Sequence, residues 1–314
     1  MDASEQLSRG VEAARLARGA VDWLIEGAAV DPEDPSLYHG LAGVVLALQE
    51  AQQHFGDDRY SQAVTRGADA LGEMVDRLED CSLYFGLAGV AVALNAVGRS
   101  AAADRSLSRI RERFDGQRWN EMFELLAGNA GIGLGALHVG DVDLAVSAVT
   151  PYLTTADPTP CGVNWAVRPS PPRSHHIAHG TLGIVYALAA VGDATGRDDM
   201  IDTALAGTAD VVSRNDAGPD SFLVPHSDPP HRPELIERYS RLVQWACRRR
   251  TGLSAARPDH RRPSLDRPRR PLLAHGQAVR APKSDPTWIL GQQRPLLRYG
   301  RRPGTRVRPH RRAR

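Results

Sequence analysis

Four segments of the chain are apolar on nearly every side, and each opens on two glycines three residues apart. The first reads Tyr38-His39-Gly40-Leu41-Ala42-Gly43 and continues into Val44-Val45-Leu46-Ala47-Leu48. It returns as Tyr84-Phe85-Gly86-Leu87-Ala88-Gly89 ahead of Val90-Ala91-Val92-Ala93-Leu94. A third copy is Ala127-Gly128-Asn129-Ala130-Gly131 ahead of Ile132-Gly133-Leu134-Gly135-Ala136-Leu137. The fourth is Ala178-His179-Gly180-Thr181-Leu182-Gly183 ahead of Ile184-Val185-Tyr186-Ala187-Leu188. The leading glycines lie 46, 42 and 52 residues apart, room for two helices and two loops per repeat.

A segment apolar all round predicts a helix buried by neighbours on every side. Glycine weakens a helix interior, so a glycine pair at a helix start implies close backbone approach or an unusual turn. Between these segments the pattern turns amphipathic. In residues 59–79, Ala63, Val64, Ala68, Leu71, Met74, Val75 and Leu78 recur at roughly helical spacing, with charges elsewhere. Alternating buried and amphipathic helices make an inner and an outer ring, so the predicted fold is all-α, an α/α toroid of helical hairpins. An open solenoid also fits four helical repeats, but its concave face would be more polar than these inner segments.

Composition agrees. Hydrophobic residues make up 42% of 314 positions and aromatics only 5%, a balance that favours small-residue helix packing over an aromatic-rich β-sandwich. No run of eighteen apolar residues exists, and Met1-Asp2-Ala3-Ser4-Glu5 lacks a basic, apolar leader. The expectation is a cytoplasmic chain without a membrane span. Cys81, Cys161 and Cys247 are too widely spaced for a disulfide framework and read as reduced thiols, Cys81 and Cys161 as small buried hydrophobes.

Charge divides the chain. Residues 1–240 carry 18 Lys+Arg against 34 Asp+Glu, whereas residues 241–314 carry 21 against 3. That contrast marks either a nucleic-acid-binding arm or a foreign segment. The domain reading is an incomplete toroid over 1–240 followed by an irregular Arg/Pro-rich tail over 241–314, out of frame or disordered.

The strings Ser82-Leu83-Tyr84-Phe85-Gly86-Leu87-Ala88-Gly89 and His176-Ile177-Ala178-His179-Gly180-Thr181-Leu182-Gly183-Ile184 resemble the lanthionine synthetase C-like family, over about residues 35–240. Gly-x-x-Gly alone is weak, but four copies at this period together with Ala-His-Gly are more specific. The resemblance implies an α/α toroid with seven inner helices and zinc at one mouth. It implies addition of a peptide cysteine thiol across dehydroalanine or dehydrobutyrine. The implied partners are a dehydrated precursor peptide and a dehydratase. Such a reaction needs a thiolate, which zinc supplies, and then stabilisation and protonation of an enolate. By resemblance His179 is the catalytic histidine, and Glu124 holds the acidic position four before a leading glycine. The family's usual residue there is Asp, so Glu124 is a departure. Read from the residues alone, His179 also fits a histidine satisfied at a helix start, and Glu124 a charge favourable to the helix dipole. A His175–His176–His179 metal cluster is disfavoured by Pro171 and Pro172 just upstream.

The family holds zinc with Trp-Cys-x-Gly and, one repeat later, Cys-His-Gly or Cys-Cys-Gly. Neither string occurs in this sequence. Residues 241–314 hold 20 Arg and 9 Pro, no Glu and no Gly-x-x-Gly, so they have little means of building a core. Back-translated and read one base later, Leu242-Val243-Gln244-Trp245-Ala246 permits Trp-Cys-Ser-Gly-Pro. In the same frame, residues 287–302 permit a string containing Cys-Cys-Gly. The glycines of the two strings arise at Trp245 and Arg298, 53 residues apart, close to the repeat period. A one-base slip near residues 238–242 is therefore expected, leaving a chain that lacks its zinc ligands, binds no metal and is inactive as encoded.

Two other functions compete. An Arg-rich tail could bind nucleic acid through phosphates, but it has few aromatics for stacking and Lys283 as its one lysine. A zinc-free peptide-binding toroid could use the loop Trp165–Pro172 as a groove wall, a loop that otherwise reads as a plain surface connection. Peptide binding that survives His179→Ala without turnover would favour that scaffold.

Overall fold

The computed structural model describes residues 3–26, 33–216 and 222–229. Helix α1 (Ala3–Ile25) is followed by four hairpins. Their inner helices are α2 (Leu41–Phe55), α4 (Leu87–Ala96), α6 (Asn129–Val139) and α9 (Thr181–Thr195). Their outer helices are α3 (Asp58–Met74), α5 (Ser100–Glu112), α7 (Val142–Val149, continued after Thr150 by the short α8, Pro151–Thr154) and α10 (Asp198–Ser213). Each inner helix packs on its own outer helix, and the inner helices pack on one another in chain order, α2 on α4, α4 on α6 and α6 on α9. This is the all-α, incomplete α/α toroid that the repeat pattern predicts.

Burial follows the two patterns in α4 and α3, whereas the first inner helix α2 buries only one face, Ala42, Val45, Leu48 and Ala51. In α4, Leu87, Val90, Ala91, Ala93 and Leu94 are all fully buried, and in α3 the buried residues fall on one face, Tyr60, Val64, Ala68, Leu71 and Met74. Each fully buried Leu or Val removes enough apolar surface from water to contribute about 2 kcal/mol. Among the described helices none is long and apolar enough to cross a membrane.

The glycine pairs answer to space, not to torsion. The leading glycines Gly40, Gly86, Gly128 and Gly180 sit in extended backbone that any residue adopts. A Cβ on the second glycine of each pair, at Gly43, Gly89, Gly131 or Gly183, would come inside 3.0 Å of the carbonyl oxygen six residues earlier, that of Leu37, Leu83, Leu125 or Ile177. The entering loop thus lies directly on the first turn of its helix. It also touches the next repeat, since a Cβ at Gly89 would meet Leu37 Cβ at 3.0 Å, one at Gly131 Leu83 Cβ at 2.9 Å, and one at Gly183 Leu125 Cβ at 2.8 Å. The leucine ahead of each of the first three inner helices therefore seats on the second glycine of the following repeat. Backbone bonds reinforce the row, with Tyr38 N–H donating to Tyr84 O at 3.0 Å and Tyr84 N–H to Leu126 O at 3.2 Å.

A fourfold cap completes each loop. The residue four before the leading glycine accepts, through its side chain, the backbone N–H three residues on. Ser36 Oγ takes His39 N–H at 3.3 Å, Ser82 Oγ takes Phe85 N–H at 3.3 Å, Glu124 Oε1 takes Ala127 N–H at 2.9 Å, and His176 Nδ1 takes His179 N–H at 3.4 Å. Such local bonds satisfy a backbone donor of the loop just ahead of the helix.

The longest repeat spacing has a visible cause. Between α8 and α9 the chain inserts an antiparallel pair, β1 (Asp157–Thr159) with β2 (Gly162–Asn164), and then β3 (Arg173–Ser174), which pairs with β4 (Ser227–Asp228) beyond α10. Neither pair has a periodic signal in the sequence. The segment expected at the surface is partly core. Trp165 and Val167 are fully buried, Trp165 Nε1 donates to Tyr152 O at 2.9 Å, and Val167 O accepts from Phe123 N–H at 2.8 Å. Trp165 and Val167 therefore form neither a groove wall nor a solvated connection. Cys81 is buried as expected, its thiol pushed up to about 11 chiefly by burial, but Cys161 is exposed where β1 turns into β2. The boundary at 240/241, the basic tail 241–314 with Cys247, and the segment 238–242 lie outside the described residues.

Candidate functional site

Both sequence-selected residues occupy repeat positions, and the fold brings them together. Glu124 stands where the first two repeats carry Ser36 and Ser82. His179 stands immediately before its leading glycine, where the first carries His39. Glu124 is completely buried, yet both its oxygens are engaged, Oε1 with Ala127 N–H and Oε2 with Leu126 N–H at 2.8 Å. Here the loop-to-loop pattern changes. Tyr38 and Tyr84 spend the equivalent N–H on the next loop, while Leu126 donates its own to the carboxylate.

Across that junction, His179 Nδ1 lies 3.3 Å from Glu124 Oε2, with the ring 41% exposed and the carboxylate 0%. The contact is at ion-pair distance but lacks hydrogen-bond alignment, because Nδ1 is buried without a hydrogen-bond partner. The pair is thus a fully buried carboxylate that backs the Nδ1 edge of a ring otherwise partly exposed, an arrangement that can orient an imidazole.

Three further histidines surround the pair. His176 lies edge-on to His179 at 5.8 Å between ring centroids and stacks at a tilt on His226 at 4.3 Å. His175 is 1% exposed, and its N–H donates to His226 O at 3.2 Å, beside the β3–β4 pair. Arg214, just past the C-terminus of α10, holds that corner with bonds to the buried Asp210 at 3.0 Å and to Asp228 at 2.9 Å. Sequence reading missed this brace, because its members are scattered across α10 and β4. It also missed a second histidine–carboxylate pair, His39 with Asp34, which Ser36 supports. Superposing the repeats would have flagged His39, since it shares the repeat position of His179.

Burial, and secondarily the Arg214 guanidinium, pushes His175 down from 6.5 to about 4. Burial followed by the His226 and His179 rings does the same to His176. The folded chain therefore holds both rings neutral where the unfolded chain protonates them. Their contribution is complete above about pH 6.5 and is lost progressively as pH falls from there toward 4. Urea unfolding at pH 7 and pH 5 checks this: the midpoint drops at pH 5, and a His175→Gln variant shows a smaller drop. Equal pH dependence in the two proteins would contradict it.

Among the described residues, no three His, Cys, Asp or Glu side chains converge as a metal-holding group. The histidines stack on one another instead of pointing at a common centre. Cys81 is held as a buried thiol, the wrong form for a zinc ligand. The described donors therefore do not fit zinc.

The family model for lanthionine synthetase C-like proteins matches residues 31–249. Among solved structures, nisin cyclase aligns at 16% identity with a TM-score of 0.48, over 57% of this chain and 58% of that one. The chain thus spans under two thirds of that relative's length. Comparison with curated proteins gives no match. The family model runs across all four glycine-paired repeats and both residues of the His179–Glu124 pair, and the chain belongs to the lanthionine synthetase C-like family.

Proposed function

We propose that the described hairpins carry the acceptor side of a thioether-forming site, which acts on dehydroalanine or dehydrobutyrine within a peptide. The observation that carries this reading is the placement of His179 Nδ1 at 3.3 Å from a fully buried Glu124 carboxylate. The ring is thereby backed on its Nδ1 edge and otherwise partly exposed. In the reaction, a thiolate sulfur forms a bond to the β-carbon of the dehydro residue. The electron pair of the C=C bond moves onto the carbonyl as an enolate, and a proton returns to the α-carbon. Protonated His179 donates from Nε2 to the enolate, and the Glu124 carboxylate orients the ring for that transfer. In family members zinc makes the thiolate. The chain as encoded lacks the motifs for that half, so it closes no ring unaided, and its peptide partner binds without being cyclised.

The two halves separate experimentally if the thiolate is supplied from outside. With a dehydroalanine peptide and an excess of a small aromatic thiol that is already largely thiolate at pH 7, the chain should accelerate addition at pH 7 by about a hundredfold, the lower end of what a positioned acid contributes. His179→Ala should remove most of that acceleration, and Glu124→Gln part of it. Equal rates for wild type and His179→Ala, measured by mass spectrometry of the adduct, would sink this reading and leave a binding scaffold.

A further inference from the structure

The fourfold cap contains one member unlike the rest. Ser36, Ser82 and Glu124 offer oxygen acceptors to the N–H three residues on, but His176 offers a ring nitrogen. A ring nitrogen accepts only while it carries no proton. We propose that His176 is a positioning residue, whose neutral imidazole, held as the Nε2–H tautomer, caps the backbone of His179 and fixes the angle at which that ring meets Glu124. The consequence for chemistry rests on the role proposed for His179; the cap itself does not.

The surroundings of His176 favour that form. His226 stacks on it at 4.3 Å and His179 closes its edge at 5.8 Å. His175 on its own loop and Arg168 on the loop ahead of β3 also face it, and a proton on His176 would be repelled by each of these four groups. Its Nε2 is buried with no hydrogen-bond partner, so water cannot solvate a charged ring there. Burial accordingly leaves the ring neutral down to about pH 4, and the cap persists throughout the neutral range.

The repeats themselves supply the control. Serine is what the first two repeats use at this position, so His176→Ser keeps an acceptor while removing the titrating ring, and His176→Ala removes both. The test is nitrogen-15 NMR of the full chain. In wild type, His176 Nδ1 should carry no proton from pH 7 to pH 5. The His179 amide should exchange at least about tenfold faster in His176→Ala, as loss of one capping bond implies. In His176→Ser it should stay within about threefold of wild type. A proton on Nδ1 at pH 7, serine exchange as fast as alanine exchange, or alanine exchange equal to wild type would each overturn the proposal. Addition of a small aromatic thiolate to the dehydroalanine peptide at pH 7 separates the two readings. If His176→Ala loses His179 amide protection but adds thiolate at the wild-type rate while His179→Ala does not, the cap stands and the positioning role falls; if His179→Ala also adds at the wild-type rate, the chemistry assigned to His179 falls and the cap stands.

Discussion

Gly131→Ala is expected to destabilise the chain by about 3 kcal/mol or more, the upper range for forcing volume into a packed core. The added Cβ would fall inside 3.0 Å of Leu125 O, a backbone atom, and at 2.9 Å from Leu83 Cβ of the preceding repeat. Neither obstacle is the free end of a flexible side chain. Relief requires lifting the loop that carries Glu124 off the first turn of α6, or separating α6 from α4. Gly56→Ala is the matched control. Its backbone is left-handed, with φ of 67°, but a Cβ there meets nothing within 4 Å, so its cost is about 1 kcal/mol of torsional strain. Thermal melts of the two variants check the argument. At about 2–4 °C per kcal/mol for a chain of this size, Gly131→Ala should melt roughly 6–12 °C below wild type and Gly56→Ala only a few degrees below it. Equal shifts would mean that the glycine pairs serve flexibility and not close approach.

That contrast bears on what was legible in the sequence. The four inner helices were readable because they are apolar all round and begin at recurrent glycines, two signals that survive without tertiary information. The amphipathic α3 was readable from one apolar face. His179 and Glu124 were selected by resemblance, and their repeat positions make the selection understandable. The reason Glu124 tolerates complete burial was not readable. It lies in two backbone N–H groups of its own turn and in a histidine 55 positions away. The β3–β4 pair, the burial of Trp165 and the Asp210–Arg214–Asp228 brace were also invisible. The strand pair and Trp165 depend on long-range partners in a stretch of proline, serine and arginine that carries no period, and the brace, though Asp210 and Arg214 are a local i,i+4 pair, is completed by Asp228 from beyond α10. Cys161 was misread because cysteine's tendency to be buried was applied to a residue at a hairpin turn, where solvent exposure is the rule.

The second large effect concerns the region beyond the described residues. Removing one base near codon 240 is expected to create a chain that closes thioether rings much faster than the chain as encoded. Two contributions set the size of the gain. The restored Cys-containing motifs would be the residues to hold a metal, which would supply the thiolate that the described residues do not. Holding sulfur and acceptor in one site adds proximity, which alone can supply several further orders of magnitude. A gain on the order of a thousandfold or more is therefore expected over the as-encoded chain at pH 7. Sequencing the genomic DNA across codons 230–250 establishes separately whether the slip is carried by the gene.

The most direct measurement is ring closure by the frame-restored chain, with zinc, on a peptide bearing one cysteine and one dehydroalanine. It is followed by blocking of the remaining thiol and mass spectrometry, in parallel with the same chain carrying His179→Ala. Rapid loss of the free thiol is expected in the first protein and a rate about a hundredfold lower in the second. A frame-restored chain that folds and binds zinc yet closes no ring, or one whose rate is indifferent to His179→Ala, would contradict it.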